Sequence, residues 1–341
     1  MVPEIHLLAS PDWKDYELID SGDGLKLERF GSYTFIRPEV QALWTRSLPA
    51  SSWETAQAIF QPSGEESGGH WKFLKTVPNQ WEMKYPLSTG RSIHSSQNSE
   101  KIGDLCFWAM TTPGRHLGVF PECGAQWDWM AGLIRDRRIE THKLRTVPEE
   151  SKVKETSPRD KKGSSTIQDV EVKVLNLFGY TGLASLACAA AGAQVTHVDA
   201  SKKAVGWART NQTLSDLTGK PIRWIVDDAL KYVEREARRG VKYDGVLLDP
   251  PKFGRGPKGE VWEVYKSLPK LLQACREVLS DHPLFTILSV YAVKMPAIHV
   301  YSALAEMMKG YGGDLECGEL VTKEVSSGKL LSQAVYARWN R

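Results

Sequence analysis

The sequence predicts an α/β protein: a mostly parallel, seven-stranded sheet covered on both faces, preceded by a smaller β-rich domain. Three observations carry this. After Ile167, strand-like apolar runs alternate regularly with helix-periodic stretches. Residues 13–110 consist instead of short aromatic-rich runs broken by turn residues. Between the two, the stretch 146–166 turns polar and contains Pro148 and Pro158. The predicted domains are 1–112 and 113–341, the second interrupted by a surface loop at 146–166.

In the first domain, segments 33–37, 70–76 and 104–110 combine β-branched and aromatic residues. Ser21-Gly22-Asp23-Gly24, Gly31-Ser32, Pro62-Ser63-Gly64 and Gly68-Gly69 separate such runs. Six of the twelve tryptophans (13, 44, 53, 71, 81 and 108) fall here, and filling the core of a small strand-rich domain accounts for them. A platform for stacking bases is the alternative, but residues 1–112 carry 10 Lys/Arg against 14 Asp/Glu. Residues 113–341 carry 34 against 27, which makes them the better partner for a polyanion.

Residues 127–145, with Trp127, Met130, Leu133 and Ile134 at helical spacing, predict an amphipathic helix. Strands follow at 171–177, 194–198, 222–226, 243–248 and 284–290. Helices between and after them span about 182–191, 201–214, 229–239, 260–279 and 296–310. Two last strands, 315–324 and 330–339, form an antiparallel hairpin that closes the sheet.

Composition narrows the class. With 41% apolar and 25% charged residues, the 341-residue chain is globular rather than disordered. Its longest apolar run, Leu183 to Ala193, is about half of the ~20 residues a membrane helix needs. Met1 to Asp12 has no signal-peptide features, so a cytoplasmic protein is expected. Cys106, Cys123, Cys188, Cys275 and Cys317 are scattered, with no CxxC pair and no zinc-like spacing; free thiols and no metal are expected.

In open α/β sheets, ligands bind beyond the carboxyl ends of the strands. The first strand runs through Asn176 into Phe178-Gly179-Tyr180-Thr181-Gly182, where glycines let the backbone pass close to a ligand and turn into a helix. This is not GxGxxG, which argues against a dinucleotide oxidoreductase. The second strand ends at Asp199-Ala200, an acidic position suited to a ribose diol or to helix capping. The third ends Asp227-Asp228-Ala229, where one carboxylate can accept from an adenine amino group and the other can cap; Asp228 is favoured for the base. The fourth ends Asp249-Pro250-Pro251-Lys252-Phe253. Two prolines hold an extended turn, so that the Asp249 carboxylate and the Pro250 carbonyl offer acceptors to an exocyclic amino group. Phe253 is suited to stacking, and Lys252 to a phosphate or to orienting the substrate.

Together, Asn176-Leu-Phe-Gly-Tyr-Thr-Gly182, Val198-Asp199, Asp227-Asp228-Ala229 and Asp249-Pro-Pro-Lys-Phe253 resemble the class I S-adenosylmethionine-dependent methyltransferases. The nearest likeness is to the branch of bacterial large-subunit rRNA cytosine-C5 methyltransferases. The segment His116-Leu-Gly-Val-Phe120-Pro-Glu122-Cys-Gly-Ala-Gln126 resembles the part of that branch that wraps over the cofactor. The resemblance implies a Rossmann-like sheet and S-adenosylmethionine as cofactor. Phe120, Glu122, Gln126, Asn176, Phe178 to Gly182, Asp199, Ala200, Asp227, Asp228, Ala229 and Asp249 would hold it. Asp249, Pro250, Lys252 and Phe253 would form the catalytic end, with no metal.

The implied substrate is an RNA base, and a small molecule or a protein is the alternative acceptor. The chain departs from the branch in one respect. Cytosine-C5 chemistry needs a thiolate that adds to the ring, yet neither Asp249-Pro250-Pro251-Lys252 nor Leu288-Ser289-Val290-Tyr291 contains a cysteine. Methylation of a nitrogen is therefore expected.

Overall fold

The structure is a computed structural model that describes residues 2–10, 13–63, 68–89, 100–146, 171–291 and 293–341. Nearly all of the predicted 146–166 loop lies outside these residues.

The central sheet has eight strands in the order Ile5–Ala9, Asp314–Lys323, Leu330–Asn340, Phe285–Val290, Gly245–Leu248, Lys173–Leu177, Gln194–Asp199 and Ile222–Val226. Only Leu330–Asn340 runs antiparallel to its neighbours. The strands at 173, 245 and 285 are almost wholly buried because helices cover both faces. The helices are Leu183–Ala190, Lys202–Leu214, Ala229–Arg238, Val264–Glu277 and Ala297–Met307. Seven of the eight strands are those the alternation predicts.

The eighth comes from the far end of the chain. Ile5–Ala9 pairs in parallel with Cys317 to Val321, at the edge of the sheet. Gly318 permits the pairing, since a Cβ there would collide with the His6 carbonyl.

Ahead of this core lies a five-stranded sheet: Tyr16–Gly22, Leu25–Phe30, Tyr33–Pro38, Ala58–Pro62 and Gly69–Phe73. A two-stranded ribbon, Trp81–Ser88 with Lys101–Ala109, joins it to the helices of the large sheet. Tyr85 donates to Asp128 at 2.9 Å, while the Cys106 and Trp108 amides donate to Ser215 and Asn211 at 3.0 Å each. Burial pushes the Asp128 carboxyl up to about 6. The tryptophans do fill a core here. Trp13, Trp53 and Trp81 are buried, and Trp81 stacks on Phe35 at 5.5 Å.

Buried polar groups join the small sheet to the closing hairpin. Asp20 accepts from the Leu48 amide, the Trp53 indole and the Ser326 hydroxyl at 2.8–2.9 Å. Glu324 accepts from Ser21 and Ser326. Arg37 grips Glu28 through two bonds of 2.7 Å, with Tyr16 donating to the same carboxylate at 3.0 Å. Burial pushes the Glu28 carboxyl up, but Arg37 and Lys26 override this and hold it below its ordinary value.

Among the described residues, no helix is long and apolar enough to cross a membrane.

Candidate active site

The carboxyl ends of the central strands open onto a cavity lined by Phe120, Cys123, Gln126, Asn176, Phe178, Gly179, Tyr180, Thr181, Asp249 and Ser289, over an apolar floor that includes Leu247 and Ile287. Every predicted residue in this set comes from the strand ends at 177 and 248, from the segment before the helix Gly124–Thr146 or, for Gln126, from that helix's first turn.

The turn after Lys173–Leu177 is unusual. Phe178 (φ 59°), Tyr180 (φ 49°) and Gly182 (φ 87°) all adopt left-handed backbone conformations, two of them without being glycine. Such conformations are sparsely populated and persist where the surroundings over-determine them. Here the Gly179 amide donates to the Val198 carbonyl at 3.1 Å, and the Tyr180 amide donates to the Asp199 carboxylate at 2.9 Å. Asp199 therefore shapes the turn, and its other oxygen accepts from the Ser201 amide. Burial pushes its carboxyl up, against these two donors.

The glycines themselves have a packing reason that the sequence did not disclose. A Cβ on Gly179 would overlap the His197 imidazole, and one on Gly182 would lie 2.8 Å from the Ala208 Cβ. His197 cannot give way: it is fully buried, held by Ser185 at 3.0 Å, and burial pushes it down to about 3. Gly179→Ala should destabilise the fold by about 1–3 kcal/mol, as overpacking does, measured by urea unfolding. Wild-type stability in that variant would show that the turn yields.

Asp249 ends its strand against this cavity. Its carboxyl has no hydrogen-bond partner among the described residues, and burial, reinforced by the nearby Glu122 charge, pushes it up to about 7. The Pro250-Pro251 turn is pinned from below, since the Trp262 indole donates to the Pro251 carbonyl at 2.6 Å and packs on Phe178. Sequence periodicity missed the cause. A small hairpin, Phe253–Arg255 with Val261–Glu263, precedes the helix where the pattern predicts helix from 260.

Other expected residues stand off this cavity. Lys252 and Phe253 lie outside its lining, with Phe253 half exposed and the Lys252 ammonium 5.3 Å from its ring. Asp227 is tied to Arg235 at 2.7 Å and to the Asp228 amide, while Asp228 caps the helix Ala229–Arg238 through the Lys231 amide. The capping role expected of the other carboxylate thus falls to Asp228, the residue favoured for the base. Glu122 differs from expectation: it lines an adjoining cavity instead. It sits in a 3₁₀ turn, Pro121–Cys123, in which successive side chains diverge by a third of a turn, so Cys123 takes its place. Cys123 lies in the segment that resembles the cofactor-wrapping part, but its facing into this cavity follows from the turn and not from the sequence pattern. Burial, with Glu122 and Asp249, pushes its thiol well up.

An open α/β sheet with a strained turn after its first central strand, a carboxylate after the next and Asp-Pro-Pro at the fourth defines a nucleoside-cofactor enzyme of the methyltransferase type. Comparison with known proteins agrees. The chain is 40% identical to a SAM-dependent methyltransferase from Agrobacterium tumefaciens, over 99% of this chain and 95% of that one, with a TM-score of 0.78. It belongs to the S-adenosylmethionine-dependent methyltransferases. A methyltransferase from Streptococcus mutans, 15% identical over 95% of this chain and 75% of its own, shares the fold with a TM-score of 0.62. The family described as "Conserved hypothetical protein 95" matches residues 129–267. Among curated proteins, Ribosomal RNA large subunit methyltransferase K/L of Shewanella sp. (strain ANA-3) is 40% identical over 90 residues. That of Shewanella frigidimarina is 35% identical over 111 residues. These matches span 26% and 32% of this chain, but only 13% and 15% of those relatives.

The residues present fit S-adenosylmethionine, which is the cofactor. An unpartnered carboxyl, Asp249, faces an aromatic-lined space suited to a cationic sulfonium group. Among the described residues, no cluster of three or more His, Cys, Asp or Glu is arranged to hold a metal.

Proposed function

We propose that this enzyme methylates an amino nitrogen of a ribosomal RNA base in the cytoplasm. The observation that carries the reading is Asp249, a carboxyl without a hydrogen-bond partner among the described residues that lines the cavity just after its strand and is pushed up to about 7 by burial. Bound S-adenosylmethionine supplies an electrophilic methyl group. Asp249 and Pro250 accept the N–H bonds of the acceptor amine and orient its lone pair, and Asp249 takes the proton that leaves the nitrogen. Excluding water is the task of Phe120, Phe178 and Tyr180.

In this reading Phe178 to Gly182, with Asn176, Phe120 and Gln126, hold the methionine end. Asp199 with Ala200 takes the ribose hydroxyls, and Asp227-Asp228-Ala229 the adenine. Lys252 and Phe253 meet the substrate outside. Asp199→Ala should weaken cofactor binding about tenfold to a hundredfold, or ~1.4–2.8 kcal/mol, because it also releases the Tyr180 amide from the turn. Calorimetric titration with S-adenosylmethionine checks this, and unchanged affinity would remove Asp199 from the site.

The curated relatives' name supports an rRNA acceptor. Nitrogen rather than carbon chemistry is supported by the thiol of Cys123, the one cysteine lining the cavity among the described residues. Raised as it is, it is no ready thiolate for attack on a pyrimidine.

The test is tritium transfer from methyl-labelled S-adenosylmethionine into total RNA from cells lacking the protein, beside RNA from cells that have it, followed by nucleoside analysis. Label entering only the deficient RNA, as one N-methylated nucleoside, is expected. A 5-methylpyrimidine would overturn the nitrogen assignment. No transfer despite tight cofactor binding would overturn the RNA assignment in favour of a protein or small-molecule acceptor.

A further inference from the structure

A second cavity, of about 220 Å³, adjoins the first and shares Val119 and Phe120 with it. Its walls come from three parts of the chain: Lys26, Arg37 and Glu39 of the small sheet, the segment from Arg115 to Glu122, and Tyr291 with Ser332 and Gln333 of the large sheet. Tyr291 directly follows the strand Phe285–Val290, so this cavity also opens at the carboxyl ends of the strands. The Phe120 ring divides the two spaces, with centroids 5.6 Å from Tyr180 on one side and 5.7 Å from Tyr291 on the other.

The cations here are not equivalent. Lys26 is engaged by Gln333 at 2.8 Å and by Glu39 at 3.4 Å, and Arg37 is held by Glu28. The Arg115 guanidinium has no hydrogen-bond or ion-pair partner among the described residues, although its own carbonyl accepts from Arg37. At the inner end, Glu122 is 8% exposed and near enough to Asp249 for its charge to be felt there. An aromatic divider, a carboxyl beside the proton acceptor of the first cavity and an unengaged guanidinium are three elements that a single nucleotide would use together: ring, amino edge and phosphate.

We propose that this second cavity takes the acceptor nucleotide, an amino-bearing base against Phe120 and Tyr291 with Glu122 at the base edge beside the amino group, whose two N–H bonds go to Asp249 and Pro250, and Arg115 holding its phosphate. The small sheet is then one wall of the substrate site. This rests on the reading of the protein as an RNA methyltransferase.

The experiment measures steady-state methylation of total RNA from cells lacking the protein, with calorimetric binding of S-adenosylmethionine as a parallel readout. Arg115→Ala should raise KM for RNA about tenfold and make its salt dependence shallower by about 0.7 in log–log slope, while cofactor affinity stays unchanged; Arg115→Lys should recover part of the loss. Glu122→Gln should lower kcat about tenfold to a hundredfold, again without loss of cofactor affinity. Wild-type KM and kcat in both variants, or weakened cofactor binding in Glu122→Gln, would overturn the assignment of this cavity. If the wild-type enzyme labels no RNA, the reading it rests on fails first, and that outcome is visible before any variant is compared.

Discussion

Asp249→Asn is expected to lower methyl transfer by about 10²–10⁴-fold, the range for loss of a positioned proton acceptor, and at the same time to make the protein more stable at pH 8. The two effects have one origin. The folded protein keeps a proton on Asp249 up to about pH 7, whereas an unfolded carboxyl of this kind releases it near its ordinary value of 3.8. Between these values the native state binds more protons than the unfolded state, so this group's contribution to stability falls as pH rises through the window. At about 1.4 kcal/mol per unit, the charge costs on the order of 2–4 kcal/mol at pH 8. Asparagine carries no such charge. Thermal unfolding of the two proteins should therefore nearly coincide at pH 4 and diverge by pH 8, with the inactive variant the higher. Wild-type turnover, or identical unfolding at pH 8, would exclude Asp249 as the strained, reactive carboxyl.

The second large effect concerns the small sheet. Glu28→Ala should destabilise the protein by about 3–5 kcal/mol, the usual result of breaking a buried ion pair from one side. Glu28 is 1% exposed and Arg37 4%, and Lys26 lies 3.8 Å from the same carboxylate. Removing it leaves two cations facing each other out of water, with the Tyr16 hydroxyl deprived of its acceptor. The double variant Glu28→Leu/Arg37→Met should recover most of the loss, because two apolar side chains leave no buried charge uncompensated. Urea unfolding of both variants decides this. Equal destabilisation in the single and double variants would mean that packing, not charge, dominates there.

Much of this molecule is legible in its sequence because parallel strands covered on both faces read as short continuous apolar runs, and the helices between them have their own period. The runs at 173, 194, 222, 245 and 285 are seen for that reason, and reading along their ends leads to Asn176, Asp199, Asp228 and Asp249. What escapes the pattern is long-range or depends on orientation. Ile5–Ala9 alternates weakly, leaves Ile5 and Leu7 more than half exposed, and finds its partner some 310 residues away. The facing of Glu122 against Cys123 turns on a single residue of 3₁₀ geometry. His197 reads as one more strand residue, and only its place behind Gly179 shows why that glycine is there. The Trp262 prop beneath Pro251 depends on a hairpin whose two strands are three residues each, shorter than any periodicity can resolve.

The pairing of Ile5–Ala9 with Cys317 to Val321 also sets the order of events at the ribosome. Ile5–Ala9 leaves the exit tunnel some 310 residues ahead of the strand it pairs with. At about 5–20 residues per second, that interval lasts roughly 15–60 s, during which a strand edge carrying Ile5, Leu7 and Leu8 waits unpaired. Contacts of such sequence separation form late and close the largest loop in the chain. The small sheet can assemble during synthesis, but the large sheet gains this edge only once Asp314–Lys323 has emerged, so nascent chains stalled before residue 314 should be selectively prone to association through this segment.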